Sequence, residues 1–156
     1  MGMLKGKVAV VVGGGGIGGA SARRLAAAGA RVVIGDLDAG NAAAIAAQIT
    51  KAGGDAQGLR CDIAEEASVA ALVQAAVARY GGLDLMHVNA ADLRVIAQDS
   101  NAVDVDLGVF ERTIAVNLRG HLLCTRHAIP QMLSRGGGAL VYTSSNSAFI
   151  GESERP

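Results

Sequence analysis

"VVVGGGGIGGASARRL" occupies Val10 to Leu25. Four glycines in a row follow an apolar run, and two more come within the next three residues. Glycine loses more backbone freedom on folding than any other residue, so such a cluster weakens a strand or a helix. The stretch therefore reads as a join between two elements. On one side "KVAVVVG", Lys7 to Gly13, is a continuous β-branched run, the mark of a strand buried on both faces. On the other, Ile17 to Ala28 is Ala-rich, carries Arg23 and Arg24, and stops at Gly29, which suits a helix C-cap. Gly13, Gly15 and Gly18 give GxGxxG between them. The first glycine permits a tight turn, the second lets a pyrophosphate approach the backbone, and the third lets helix and strand pack closely. A phosphate then meets unpaired N–H groups at a helix N-terminus, where the helix dipole favours negative charge. The glycines give up local stability to make room for an anion.

Working outward, strands and helices alternate. Strands are expected over Ala30–Asp36, Ala56–Asp62 (the weakest), Leu83–Ala90 and Gly136–Ser145, and helices over Asn41–Ala52 and Glu65–Tyr80. Residues 91–106 have no clean period and read as loop with a turn of helix. Leu107 to Ser134 reads as one long helix, with bends expected near Gly120 and Pro130. Such alternation with short connections predicts an α/β fold: a Rossmann-type, doubly wound parallel sheet with helices on both faces. Residues 1–156 are expected to form a single NAD-binding domain of this type. Its ligand crevice lies at the carboxyl ends of the strands, where strand order reverses.

Asp36 ends the second strand, where an acid accepts hydrogen bonds from the adenosine ribose hydroxyls. It also repels a 2′-phosphate, and no basic residue occupies the glycine loop to offset it, so NAD is expected rather than NADP. Asp38 is close enough to compete for this role, and a plain solvated acid is the competing reading of Asp36. Fourteen basic residues balance fourteen acidic ones, and aromatics are 3% of the chain, which argues against nucleic acid and against an anionic membrane. The start "MGMLKGKVAVVV" is too short and too soon broken by glycine for a signal peptide or membrane span. Cys61 and Cys124 form no CxxC pair, and two reduced thiols in a cytoplasmic protein are expected. His121 and His127 lie six apart, not at the spacing of a helical metal pair, so no metal site is expected. His87 reads as a buried, hydrogen-bonded core histidine, and Arg112, Arg119 and Arg126, at intervals of seven, as a solvated or subunit-contact face. No GxSxG surrounds Ser144 or Ser145, so a hydrolase elbow is not supported.

"GGGGIGGASARRLAAAGA", "CDI" at 61–63, "VNAA" at 88–91, "AVNLRG" at 115–120 and "LVYTSS" at 140–145 come in the order used by short-chain dehydrogenases/reductases. The chain resembles that family over nearly its whole length. The resemblance implies that Gly13, Gly15, Gly16 and Gly18 belong to the cofactor loop and that Ile17 and Val116 make apolar cofactor contacts. It implies that Asp62 and Ile63 flank the adenine, and that Asn89 and Ala90 brace the sheet and lie along the cofactor. Asn117 would hold a water in a proton relay, and Ser145 would hydrogen-bond the substrate oxygen. A small alcohol or ketone substrate and a homotetramer or dimer are implied as well. There are departures. Gly13 and Gly16 have two residues between them where the family usually has three, and "VNAA" replaces "NNAG".

The family's acid/base is a tyrosine followed four positions later by a lysine. Tyr80 and Tyr142 have Asp84 and Asn146 there, and the lysines are Lys5, Lys7 and Lys51. The family's tyrosine comes about thirteen residues after the serine, past Pro156, and "ALVYTSS" would form an uncovered sheet edge, a pairing hazard. A missing C-terminal part is therefore expected. Three readings stay open: an NAD-dependent oxidoreductase of secondary alcohols and ketones, a non-catalytic NAD-binding module, and an inactive fragment.

Overall fold

A computed structural model of the chain describes residues 2–146 and 149. Pro156, on which the expectation of a missing part turned, lies outside them. The β-branched run forms β1, Val8–Val12, and every residue in it is buried. Then follow α1 (Gly16–Ala27), β2 (Arg31–Asp36), α2 (Ala39–Lys51), β3 (Ala56–Arg60), α3 (Glu66–Tyr80) and β4 (Leu85–Val88). A 3-10 turn at Leu93–Gln98 fills the aperiodic stretch, as the reading of loop with a turn of helix allowed. The long helix is divided: α4 (Leu107–Ile114), a wide π-helical turn (Ala115–Arg119) and α5 (Gly120–Leu133). β5 is Ala139–Tyr142.

The five strands are parallel, in the order β3-β2-β1-β4-β5. Strand order reverses between β1 and β4, so the crevice of a doubly wound sheet opens there. Val8, Val10 and Val12 point to one face and pack with Leu72 and Val73 of α3 and Leu123 and Cys124 of α5. Ala9 and Val11 point to the other and pack with Ala22 of α1 and Ile45 and Ile49 of α2. The alternation of a strand thus serves two apolar layers at once, which is why β1 reads as unbroken rather than alternating.

β3 is weak because it is an edge strand, half-buried from Ala56 to Leu59 and exposed at Arg60. β5 forms the other edge among the described residues, with Val141 and Tyr142 exposed. It is shorter than expected. Gly136 and Gly137 take positive φ of 86° and 125°, outside strand geometry, and β4 offers only Leu85 to Val88 for pairing. Among the described residues, no helix is long and apolar enough to cross a membrane.

At the amino ends of the strands the buried Asp84 joins three segments. Its carboxylate accepts from the Val8 N–H at 2.8 Å, Lys7 Nζ at 3.3 Å and Arg135 Nε at 3.2 Å. Tyr80 also sits at this end, donating to Asp55 at 2.7 Å.

Candidate cofactor and active-site cleft

The carboxyl ends of the strands enclose a cleft of about 560 Å³. Gly13 turns the chain out of β1 with φ +90°, and a Cβ there would lie 2.6 Å from the Ala90 N. The loop must therefore pass directly against the end of β4. Its carbonyl is held by Asn89 Nδ2 at 3.1 Å. Gly18 lies behind the cleft wall, where a Cβ would strike the Gly13 carbonyl oxygen. It is the packing glycine and does not face the cleft.

Gly15 and Gly16 are different. A Cβ at either meets nothing within 4 Å. Among the described residues the N–H groups of Gly15, Gly16 and Ile17 have no hydrogen-bond acceptor, as expected of the first turn of α1. Open space in front of unpaired donors at a helix N-terminus fits a pyrophosphate. Ile17, 64% exposed, lies at the rim.

Asp36 reaches back to this loop. Its Oδ2 accepts from Gly14 N at 2.7 Å and Asn41 Nδ2 at 3.0 Å, and its Oδ1 from Asp38 N at 2.9 Å. These bonds fix the carboxylate against the cleft. Asp38 is engaged elsewhere, as the N-cap of α2, accepting from Gly40 N at 2.8 Å.

Asp62, Ile63, Asn89, Ala90 and Val116 line the same cleft. Asn117 and Ser145 do not. Asn117, in the wide turn, is tied to the cleft through its Oδ1, which accepts from the Asp92 N–H at 3.3 Å. Ser145 is exposed, two residues beyond Thr143, which does line the cleft.

Thr143 belongs to a chain of hydrogen bonds across β4 and β5. It donates to Asn89 Oδ1 at 2.8 Å, so its oxygen must accept from His87 Nε2 at 2.9 Å. That assigns the Nε2–H tautomer and leaves the buried Nδ1 as a bare lone pair, without a partner among the described residues. Burial lowers the His87 pKa, which keeps this imidazole neutral. The expected hydrogen-bonded histidine is thus found, half-buried rather than buried.

The sequence reading overlooked Asp92, Arg94 and Arg112, which also line the cleft. The Asp92 side chain is only 4% exposed. Arg94 grips it with two parallel bonds, Nε to Oδ1 at 2.8 Å and Nη2 to Oδ2 at 2.7 Å, and Arg112 Nε reaches Oδ2 at 2.9 Å. The Arg94 hydrogen bonds hold the Asp92 carboxyl far below the usual carboxylate range, against the opposing effect of burial, with Arg112 adding to them. The seven-residue arginine spacing was misread at Arg112, which serves the cleft. Arg119 donates to the Ala64 carbonyl at 2.9 Å, and Arg126 lies 3.7 Å from Glu66.

Burial raises the thiol pKa of Cys61 to about 11 and of Cys124 to about 12, so both stay protonated. His121 bonds the Ala90 carbonyl at 3.0 Å, and His127 bonds Glu66 at 3.1 Å. Among the described residues no group of three or more His, Cys, Asp or Glu could hold a metal ion.

Comparison with known proteins agrees with the geometry. The family model for short chain dehydrogenases matches residues 7–156. A probable short-chain type dehydrogenase/reductase of Bradyrhizobium diazoefficiens is 46% identical over 153 residues, covering 97% of this chain and 54% of that protein. D-threitol dehydrogenase of Mycolicibacterium smegmatis is 39% identical over 148 residues, covering 94% of this chain and 55% of that protein. A 7α-hydroxysteroid dehydrogenase solved with NADH and 7-oxo glycochenodeoxycholic acid superposes with a TM-score of 0.87 at 31% identity. That match covers 96% of this chain and 57% of that structure. The chain therefore spans little more than half the length of these relatives. Fold, glycine loop and sequence likeness converge, and the chain belongs to the short-chain dehydrogenase/reductase family.

Proposed function

We propose that the cleft binds NAD and serves an oxidoreductase acting on a secondary alcohol or ketone. The observation that carries this is the cradle of open N–H groups at Gly15, Gly16 and Ile17 beside the fixed Asp36 carboxylate. The N–H groups take the pyrophosphate, and Asp36 accepts from the adenosine ribose hydroxyls. Strand order puts Asp36 and Asp62 on one side of the glycine loop and Asn89, Asp92 and Thr143 on the other. The adenosine belongs to the first side, between Asp62, Ile63 and Val116, and the nicotinamide to the second, along Asn89 and Ala90. When bound, the nicotinamide accepts or gives the hydride. The residues around it orient the reactants and exclude water. Ser145 donates to the substrate oxygen, and the Asn117 amide, turned by the Asp92 N–H, supports the proton path.

The exposed stripe Leu107, Phe110, Ile114, Leu118, Leu122, Ile129 and Leu133 supports a homo-oligomer, dimer or tetramer, built on α4 and α5. A second reading, cofactor binding without turnover by these residues, is favoured by one observation. Both tyrosines lack a lysine four positions on, and both hydroxyls are engaged, Tyr80 with Asp55 and Tyr142 with Thr125 at 2.6 Å.

Titration of the purified chain with NADH and NADPH, read by cofactor fluorescence, tests the proposal. NADH is expected to bind more tightly than NADPH. Asp36→Ala is expected to weaken NADH about tenfold or more, since a hydrogen bond to a charged group contributes about 1.5–3 kcal/mol, and to erase the discrimination. Equal binding of the two cofactors by the unmodified chain would remove NAD from the proposal. Turnover of NAD with a panel of secondary alcohols separates the enzyme from the binding module.

A further inference from the structure

The two arginines of the cleft have more donors than their acid can use. Two guanidiniums carry ten N–H donors and two positive charges. Asp92 takes two bonds from Arg94 and one from Arg112, and a further bond from the Arg94 backbone N–H at 3.3 Å fills its acceptor sites. Among the described residues the remaining guanidinium N–H groups of Arg94 and Arg112 have no acceptor. One positive charge is left over. Asp62 acts on Arg94 from a distance, but its own Oδ1 is taken by the Ala64 N–H at 3.0 Å, and no hydrogen bond joins it to Arg94. The arginine side chains stay accessible, 69% exposed for Arg94 and 34% for Arg112, while Asp92 is buried beneath them. They are held in place before any ligand arrives, so little side-chain freedom is lost on binding.

Through Asp92 they adjoin the substrate end proposed above, while Asp62 on the adenosine side acts on Arg94 only from a distance. Asp92 follows β4, on the opposite side of the glycine loop from Asp36, and its N–H holds Asn117. We propose that Arg94 and Arg112, fixed on Asp92, select a secondary alcohol or ketone that carries a carboxylate. The carboxylate meets free guanidinium N–H groups, in the planar two-bond geometry that arginine favours. The apolar carbons lie against Leu93 and Ile17. This assignment rests on the cofactor reading above, which places the nicotinamide on the β4 side.

The test is a titration of the isotope-labelled chain, followed by the arginine side-chain N–H signals in NMR, with and without saturating NADH. The probes are 3-hydroxybutyrate and its neutral analogue 2-butanol. The acid is expected to move the Arg94 and Arg112 signals at concentrations at least tenfold below those at which 2-butanol moves any cleft signal. Arg94→Gln keeps the Arg112–Asp92 pair, so the fold survives, and the preference should fall towards one. Arg94→Lys should restore part of it through charge alone. Equal binding of the two probes, or a preference unaltered in Arg94→Gln, overturns the proposal. The cofactor reading fails separately. If NADH does not bind while the acid still moves the arginine signals, the anion site stands and the nicotinamide assignment falls. If NADH binds and the acid has no preference, only the anion site falls.

Discussion

Gly18→Ala is expected to lower the thermal midpoint by roughly 6–12 °C and to weaken NADH at least tenfold. The added methyl would strike the Gly13 carbonyl oxygen and lie 2.8 Å from Asn89 Nδ2. Neither atom can yield, because the Asn89 amide holds that same carbonyl. Overpacking of this kind costs about 1–3 kcal/mol, and backbone contacts put Gly18 at the upper end. Each kcal/mol is roughly 2–4 °C in a domain of about this size. To admit the methyl, α1 must lift from β1, carrying the N–H groups of Gly15, Gly16 and Ile17 out of line. Gly15→Ala is the control. Its backbone, φ −64° and ψ 150°, suits any residue, and its Cβ meets nothing within 4 Å. It should melt within about 0.5 kcal/mol of the unmodified chain, yet bind NADH more weakly, because the methyl enters the space left for the phosphate. Calorimetry and cofactor fluorescence read both effects. If Gly18→Ala melts like the unmodified chain, the close packing of α1 on β1 is not what this glycine serves.

Asp84→Ala is expected to cost about 2–3 kcal/mol, the value of a hydrogen bond to a charged group together with a buried donor left unpaired. The donor is the Val8 N–H, at the start of the innermost strand. Lys7 and Arg135 can turn to water, so they add less. The loss should depend on pH in a defined direction. Burial raises the Asp84 pKa, but the Val8 N–H, Arg135 and Lys7 together outweigh it and leave the folded value below the ordinary one. A depressed folded pKa gives stability that is fully present above the unfolded carboxylate value, about 3.9, and is lost as pH falls through the folded value. The gap in unfolding free energy between the unmodified chain and Asp84→Asn should therefore be widest near neutrality and shrink below about pH 4. Asp55 and Asp92 also have lowered values, but they are common to both proteins and cancel in the difference. Urea titrations across that range read the gap directly. A gap that stays constant with pH would show that the charge of Asp84 contributes nothing.

The parts of the cleft that were legible are those whose signal is local. A β-branched run, a glycine loop, an Ala-rich helix and an acid at the next strand end all lie between Lys7 and Asp36. Each is a backbone requirement written in neighbouring residues. The arginine cluster is different in kind. Asp92 and Arg112 meet across twenty residues, through a stretch with no hydrophobic period. Nothing near Arg112 distinguishes a guanidinium turned inward from one in water, and a repeat of seven pointed the wrong way. The His87, Thr143 and Asn89 chain was hidden for the same reason, since Thr143 directly follows β5 and its partners come from the neighbouring strand and its end. Strand ends shifted by one to three residues, most at β5, where glycine torsions and a short partner strand limited pairing.

The wide turn at Ala115–Arg119 divides the helical segment into two faces with separate duties. α4 turns Arg112 towards Asp92, while α5 turns Leu123, Cys124, Ala128 and Met132 onto the sheet. A continuous α-helix advances about 100° per residue, and a π turn takes up roughly one residue more than an α turn. The turn thus sets the rotational phase between the two helices. Shortening it by one residue would leave α5 docked and swing α4 through about 100°, carrying Arg112 off the cleft with its side chain intact. Single-residue insertions and deletions on the α4 side of the buried Val116 would retune recognition while Val116 and α5 keep their packing on the sheet, a route to new specificity that point substitutions do not offer.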